Sequence, residues 1–389
     1  MSSDNRTDIS NKKPTSERIA SIDALRGFDM LWIIGGGSIV TGLSAILEAQ
    51  PQSSIVGADS QFGHWIQLLH TQLTHVEWEG FRFYDLIFPL FVFIIGVSTV
   101  FSLSGAVQKQ GKMMAHIRLL RRFLILYLLG LFYYGGRGDP EQFRYVGVLQ
   151  RLACCYFAAG LIFLHFRLKG MIVIFCLILG GYWAALTFIP VPGFGAGDLE
   201  AGRNLTNYVD QQYLPGYKWD GDWDPEGLLS TIPAIATCLL GIFTGLLLQN
   251  ENVSKFSKFF FMMVLGVTTT LLGHLWGFEF PIIKKLWTSS YVLLAGGLSI
   301  LLLALFYFVV DLCRLRFLAA PFIWIGMNPI TLYLMANLLD FDALARRMIH
   351  QPLLDSFGIY SQLVLSIVSM TFILGIAFFL HTRKIFIKV

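Results

Sequence analysis

The residues with chemistry to offer first meet in residues 74–98, THVEWEGFRFYDLIFPLFVFIIGVS. A polar segment bearing His75, Glu77, Trp78 and Glu79 runs into about twenty almost wholly apolar residues, and Asp85 stands at the seam. Histidine is the side chain whose charge changes near neutrality. A carboxylate at the threshold of hydrocarbon needs a partner or a task. Together, His75 and Asp85 could handle a proton at a membrane face. The same residues also suit a wet loop leading into an ordinary membrane helix with a capping aspartate.

Other polar residues sit where hydrocarbon is expected. Arg151, in GVLQRLACCY, lies about two turns into a helix that enters from the same side as Asp85. The matched depths allow an Asp85–Arg151 pair, either a static tie or the charged wall of a site. Asn328, in WIGMNPITLY, falls near mid-membrane, where it could repair the kink made by Pro329 or contact a ligand. Arg118, Arg121 and Arg122 cluster just before an apolar run and serve either topology or the phosphates of a cofactor. Residues 191–227 interleave Tyr208, Tyr213, Tyr217, Trp219 and Trp223 with seven carboxylates, among them Asp224 and Glu226. Rings and acids together suit a sugar bearing an amine; they equally suit a solvated interfacial loop. Asp224-Pro225-Glu226 reads as N-cap, first-turn proline and first-turn acid of the next helix. No spacing of His, Cys or acids suggests a metal, and the five cysteines read as small apolar residues.

The elements that must position these residues are membrane helices. The 389 residues are 55% hydrophobic and only 14% charged, where a soluble domain carries about 25% charged residues; the mean hydropathy is +0.62. With about twenty apolar residues needed per crossing, the chain reads as an all-α polytopic bundle of about ten spans: 28–48, 84–104, 123–136, 145–165, 171–190, 228–249, 259–275, 287–311, 319–339 and 360–380. The first is interrupted by Gly35-Gly36-Gly37, which allows either unwinding or close packing. Residues 1–18 read as a disordered tail without a cleavable signal, and 19–389 as one transmembrane domain. Nineteen of the 29 Lys and Arg fall on one set of alternate loops and nine on the other. The positive-inside rule then places both termini inside. The long loops at 49–83 and 191–227 are outside, and His75 with them.

Several strings in order then carry a likeness: SIDALRGFDM, HVEWEGFRFYDLIFPLFVFIIGVS, YVGVLQRLACCYF, WDPEGLLSTIPAI, LWTSSYVLL and PFIWIGMNPITLYL. Together the chain resembles the catalytic membrane domain of the heparan-α-glucosaminide N-acetyltransferase family and its bacterial relatives. The resemblance implies a multi-pass acyltransferase in a bacterial inner membrane, its active-site loop on the periplasmic side. Acetyl-CoA would be the cosubstrate, without a metal, and glucosamine or a related amino sugar the acceptor. The family's active-site histidine, in an H-x-x-W-x-G string, falls on His75. The family's asparagine in the first membrane helix has no counterpart in LWIIGGGSIV.

On this likeness His75 acts as general base toward the acceptor amine or carries the acetyl group itself, and Asp85 orients the ring. Arg151, Asn328, Arg118, Arg121 and Arg122 are the candidates for acetyl-CoA, and Trp78, Trp219, Trp223, Asp224 and Glu226 for the acceptor. The expected partners are a glycan or amino-sugar acceptor and the lipid bilayer; nucleic acid is not expected, and a homodimer is admissible. Two other readings remain: an acyltransferase acting on a cell-envelope glycan, and an amino-sugar or oligosaccharide transporter, whose internal repeat the sequence does not display.

Overall fold

The computed structural model describes residues 19–49, 60–135 and 143–386. The expected tail at 1–18 and the start of the 49–83 loop lie outside them. In order, the helices are α1 (Ala20–Leu31), α2 (Gly37–Ala49), α3 (Gln61–Gln72), α4 (Phe83–Gly135), α5 (Val148–His165), α6 (Leu168–Phe188), α7 (Leu205–Tyr213), α8 (Thr231–Gln249), α9 (Lys255–Trp276), α10 (Ser289–Phe306), α11 (Ala320–Gly326), α12 (Pro329–Leu338), α13 (Phe341–Met348), α14 (Gln351–Ser356) and α15 (Ser361–Thr382). Among the described residues, extended pairing is confined to isolated bridges such as Glu79–Ile283 and Arg144–Gly216. Among the described residues, eight helical stretches are long and apolar enough to cross a membrane. The chain is an all-α, polytopic membrane bundle.

The spans read from sequence are joined and divided differently in space. Residues 84–104 and 123–135 lie on one 53-residue stretch, α4, and residue 136 of the expected span lies outside the described residues. At 1.5 Å per residue a straight α4 would run about 80 Å, far beyond a hydrocarbon core of about 30 Å. The chain turns back instead at Gly111, whose φ of 81° and ψ of 171° are open to glycine without strain. Leu103 and Leu119, equally far on either side of Gly111, both reach the point where a Cβ on Gly160 of α5 would stand. The span expected at 319–339 is two short helices, α11 and α12, parted at Met327-Asn328.

Small residues set the contacts that hold the bundle. A Cβ on Gly96 of α4 would lie 2.0 Å from the Cys238 carbonyl of α8, and one on Gly241 would lie 2.0 Å from the Phe93 carbonyl. The two backbones therefore touch, as close membrane packing requires. The first half of α4 runs through the middle of the bundle, flanked by α5, α8 and α10. The expected span at 28–48 starts earlier, at Ala20, and breaks at a π-helical turn, Trp32–Gly36. Gly35 has φ 126° there, and a Cβ would meet only Ser38 and Met370 at about 4 Å. Unwinding, not close approach, accounts for the glycine.

Candidate active site

Asp85 is the hub of the site. It occupies the first turn of α4 and is 1% exposed. One carboxylate oxygen accepts the backbone N–H groups of Val76 (3.3 Å) and Arg82 (3.1 Å), which folds the 74–82 loop back over the helix start. The Arg82 guanidinium secures that loop through the Thr74 hydroxyl (2.8 Å) and the His75 carbonyl (3.3 Å). The other carboxylate oxygen lies 2.9 Å from His75 Nδ1, and the ring rests against Tyr84 at 4.6 Å between centroids. Lys284 completes the cluster, its Nζ 3.3 Å from the same Asp85 oxygen and 2.9 Å from His75 Nδ1. Its segment is pinned to the histidine loop by the Gly80 N–H to Ile282 carbonyl bond and the Glu79–Ile283 bridge. Burial pulls the Lys284 pKa below the ordinary lysine value, and Asp85 opposes the pull.

Two cavities share a wall beneath this cluster. The first, about 200 Å³, has His75, Tyr84, Glu226 and Lys284 among its lining residues, with Phe91 and Ile330. The second, about 510 Å³, is lined by Arg26, Arg118, Arg121 and Arg122, again with Phe91 and Ile330. Along α4, Phe91 stands about 9 Å from Asp85 and Ser102, at the arginine cavity, about 26 Å, from the helical rise. An apolar joint thus divides a histidine–carboxylate site from an arginine-lined one. Arg26 is held in place by Gly326 O and Asp23 (both 3.2 Å) and Ser98 (2.7 Å), and Arg122 lies over the Tyr156 ring at 4.7 Å.

No family model matches the chain. It is 28% identical over 377 aligned residues to the human heparan-α-glucosaminide N-acetyltransferase, covering 81% of this chain and 55% of the human protein. The mouse protein of the same name aligns at 28% over 376 residues, 81% of this chain and 56% of its own. The chain is similar to the heparan-α-glucosaminide N-acetyltransferases. It spans a little over half the length of these relatives.

Of the residues to which the acetyltransferase likeness pointed, His75 and Glu226 line the first cavity, with Asp85 bonded to the His75 ring, and Arg118, Arg121 and Arg122 line the second. Arg151 does not pair with Asp85. Its guanidinium bonds the Ser230 hydroxyl and the Gly227 carbonyl and lies over the Trp287 ring at 5.0 Å. Equal depth in two helices did not put the side chains on facing sides. Asn328 is also turned away: its amide donates to the Ile385 carbonyl at 2.9 Å, at the break before α12.

The acceptor candidates divide. Asp224 does not start a helix, because α8 begins at Thr231 and residues 224–230 form turns. Arg144 draws it in: Arg144 Nε and Nη2 grip both Asp224 oxygens (2.7 and 2.6 Å), and Nη2 also reaches Glu226 (2.6 Å). The Tyr134 and Trp219 rings flank that guanidinium. The Arg144 pKa is raised, because the two carboxylates outweigh the opposing effect of burial. Trp78 bonds the Leu199 carbonyl and meets Trp223 edge-on, so this pair anchors the 191–227 loop to the histidine loop. Trp219 alone of the three tryptophans is well exposed. Among the described residues, no three His, Cys, Asp or Glu side chains gather as a metal site would require. Sequence reading missed two site residues, Lys284 and Arg26. The only trace of Lys284 was a Lys-Lys pair between apolar runs, 209 residues from His75.

Proposed function

We propose that the chain is a transmembrane N-acetyltransferase that takes acetyl-CoA at its arginine-lined cavity and acetylates the amine of glucosamine or a related amino sugar at the His75 cavity. The observation that carries this reading is the back-to-back arrangement of the two cavities across Phe91 and Ile330. A pantetheine arm is short beside a membrane about 30 Å thick. Arg118, Arg121 and Arg122 follow Gly111 by about 10–16 Å of helix rise. They would therefore receive the CoA phosphates inside the bundle rather than at its end, bringing the thioester toward His75. With the termini inside, the arginine cavity opens to the cytosol and the histidine cavity faces outward.

A thioester is already activated, so the acceptor must arrive as a neutral amine with its attack aligned. With His75 Nδ1–H donating to Asp85, Nε2 carries the lone pair. That nitrogen takes the amine proton as the C–N bond forms and the thioester C–S bond breaks, CoA leaving as its thiolate; or it attacks the thioester first, expels the CoA thiolate, and passes the acetyl group to the amine. Glu226, at the cavity edge and neutralised on one side by Arg144, is placed to attract the acceptor's ammonium form. The test uses proteoliposomes with labelled acetyl-CoA on one side and glucosamine on the other. Wild-type protein should acetylate the sugar, and His75→Ala should lose at least about a hundredfold in rate. Undiminished transfer by His75→Ala would remove the histidine from the chemistry. Sugar accumulation without acetylation would replace the transferase by a transporter.

A further inference from the structure

His75, Asp85 and Lys284 pose a competition that the catalytic reading leaves open. One carboxylate oxygen of Asp85 has two candidate cations, the His75 ring at 2.9 Å and the Lys284 ammonium at 3.3 Å. The ammonium also stands 2.9 Å from Nδ1 and 3.5 Å from Nε2, so it flanks the ring. Nδ1 has one position to use: as N–H it donates to Asp85, and as a lone pair it accepts from Lys284. Only the first arrangement leaves Nε2 free to accept a proton.

We infer that Lys284 is a positioning residue that supplies the positive charge Asp85 requires, and so keeps the His75 imidazole neutral. Lysine is the stronger base of the two cations, so the ammonium neutralises Asp85 and the ring need not. A second proton on the ring would then sit against an ammonium at hydrogen-bond distance, which disfavours the imidazolium. The same repulsion would return a proton taken from the acceptor amine to solvent after each turnover. The other charged and titratable groups around the ring do not replace Lys284. Arg82 is committed to Thr74 and the His75 carbonyl, and Lys285 to Asp220. Glu226 is gripped by Arg144, Tyr84 contributes its ring face, and Tyr291 donates to the Asp85 backbone carbonyl. Tyr333 lines the far wall of the same cavity. The charge balance is this cluster's own; its value for turnover rests on the transferase reading above.

The experiment follows the protonation of His75 directly, by NMR of ring-labelled histidine in nanodiscs without substrate, with the His75 signal assigned from its loss in His75→Gln. Lys284→Met should raise the His75 midpoint by about one pH unit or more, because an unopposed Asp85 then favours the imidazolium. Lys284→Arg, which keeps the charge, should stay near wild type. In Lys284→Met the acidic limb of kcat/KM should move up by the same amount as the midpoint, with rate recovering at high pH. The resonances of His116 and His165, far along the chain at another pair of helix ends, report whether each variant is folded. A midpoint that stays put or falls in folded Lys284→Met overturns the inference. A midpoint that rises in a protein with no acetyl transfer upholds the charge balance and sinks the transferase reading instead.

Discussion

Arg144 is the sharpest test of how the 191–227 loop is held against the site. The residue is 3% exposed and Asp224 is fully buried. Arg144→Ala would leave Asp224 ionised and enclosed, with only the N–H groups of Trp219 (3.1 Å) and Glu226 (2.9 Å) as donors. Removing one partner of a buried ion pair costs about 3–5 kcal/mol, against about 0–1 kcal/mol for an exposed pair. The loss of a guanidinium flanked by Tyr134 and Trp219 adds to it. Residues 205–228 should therefore open more readily, with amide exchange faster by roughly a hundredfold to several thousandfold at tenfold per 1.4 kcal/mol. Mass-resolved hydrogen exchange in detergent measures this. Arg144→Met combined with Asp224→Asn removes both charges and should recover most of the protection. Exchange in Arg144→Ala within about fivefold of wild type would show that the clamp does not hold the loop, and the reasoning from burial would fail.

Asp210 supplies a pH dependence in the same loop. Burial raises its pKa to about 6, although the N–H groups of Leu228 and Asp224 pull it down. Because the folded pKa lies above the unfolded one, its stabilising effect is fully present below about pH 4 and is lost as pH rises through about 6. The unfolding free energy should thus fall by up to about 3 kcal/mol between pH 4 and 7.5 from this group, and Asp210→Asn should flatten the profile; denaturant titration checks both. At the joint between the cavities, Phe91→Trp should cut acetyl transfer at least about tenfold while CoA binding at the arginines persists, because extra volume in a packed wall has nowhere to go. Transfer and equilibrium CoA binding separate the two, and full activity in Phe91→Trp would show that the thioester takes another route.

How much could be read from the chain alone depended on the distance over which each fact is decided. The His75–Asp85 pair was legible because ten residues separate the two and the apolar run begins at Asp85. The α4 reversal was legible as two apolar runs around a basic segment, although not its pivot at Gly111. Arg151 misled because matched depth fixes a height in the membrane and says nothing of which way a side chain faces around its helix. Asp224 misled because Asp-Pro-Glu is a strong local helix-start pattern, while the competing partner, Arg144, lies 80 residues away. In the sequence Arg26 is only one of the nineteen Lys and Arg on the inner loops. Its place in the second cavity depends on Ser98 and on the Gly326 carbonyl, contacts 72 and 300 residues distant.

The breaks in the helices belong to the same logic as the cavities. In hydrocarbon an unpaired backbone group is costly, so irregular backbone at membrane depth is tolerated where protein encloses it or where it lines a cavity. The π-helical turn at Trp32–Gly36 carries Ile33, which lines the first cavity. The break at Met327-Asn328 carries Met327 and Pro329, which line the second, and Ile330, which is half of the joint. Pro329 forces that break, since its ring excludes a continuous helix, and it sets Ile330 within the first turn of a new one. A small rotation of that first turn would therefore move Ile330 relative to Phe91, which is fixed in the enclosed centre of α4. The interrupted helices, wasteful in an inert bundle, put one side of the joint between the two cavities on the first turn of a broken helix.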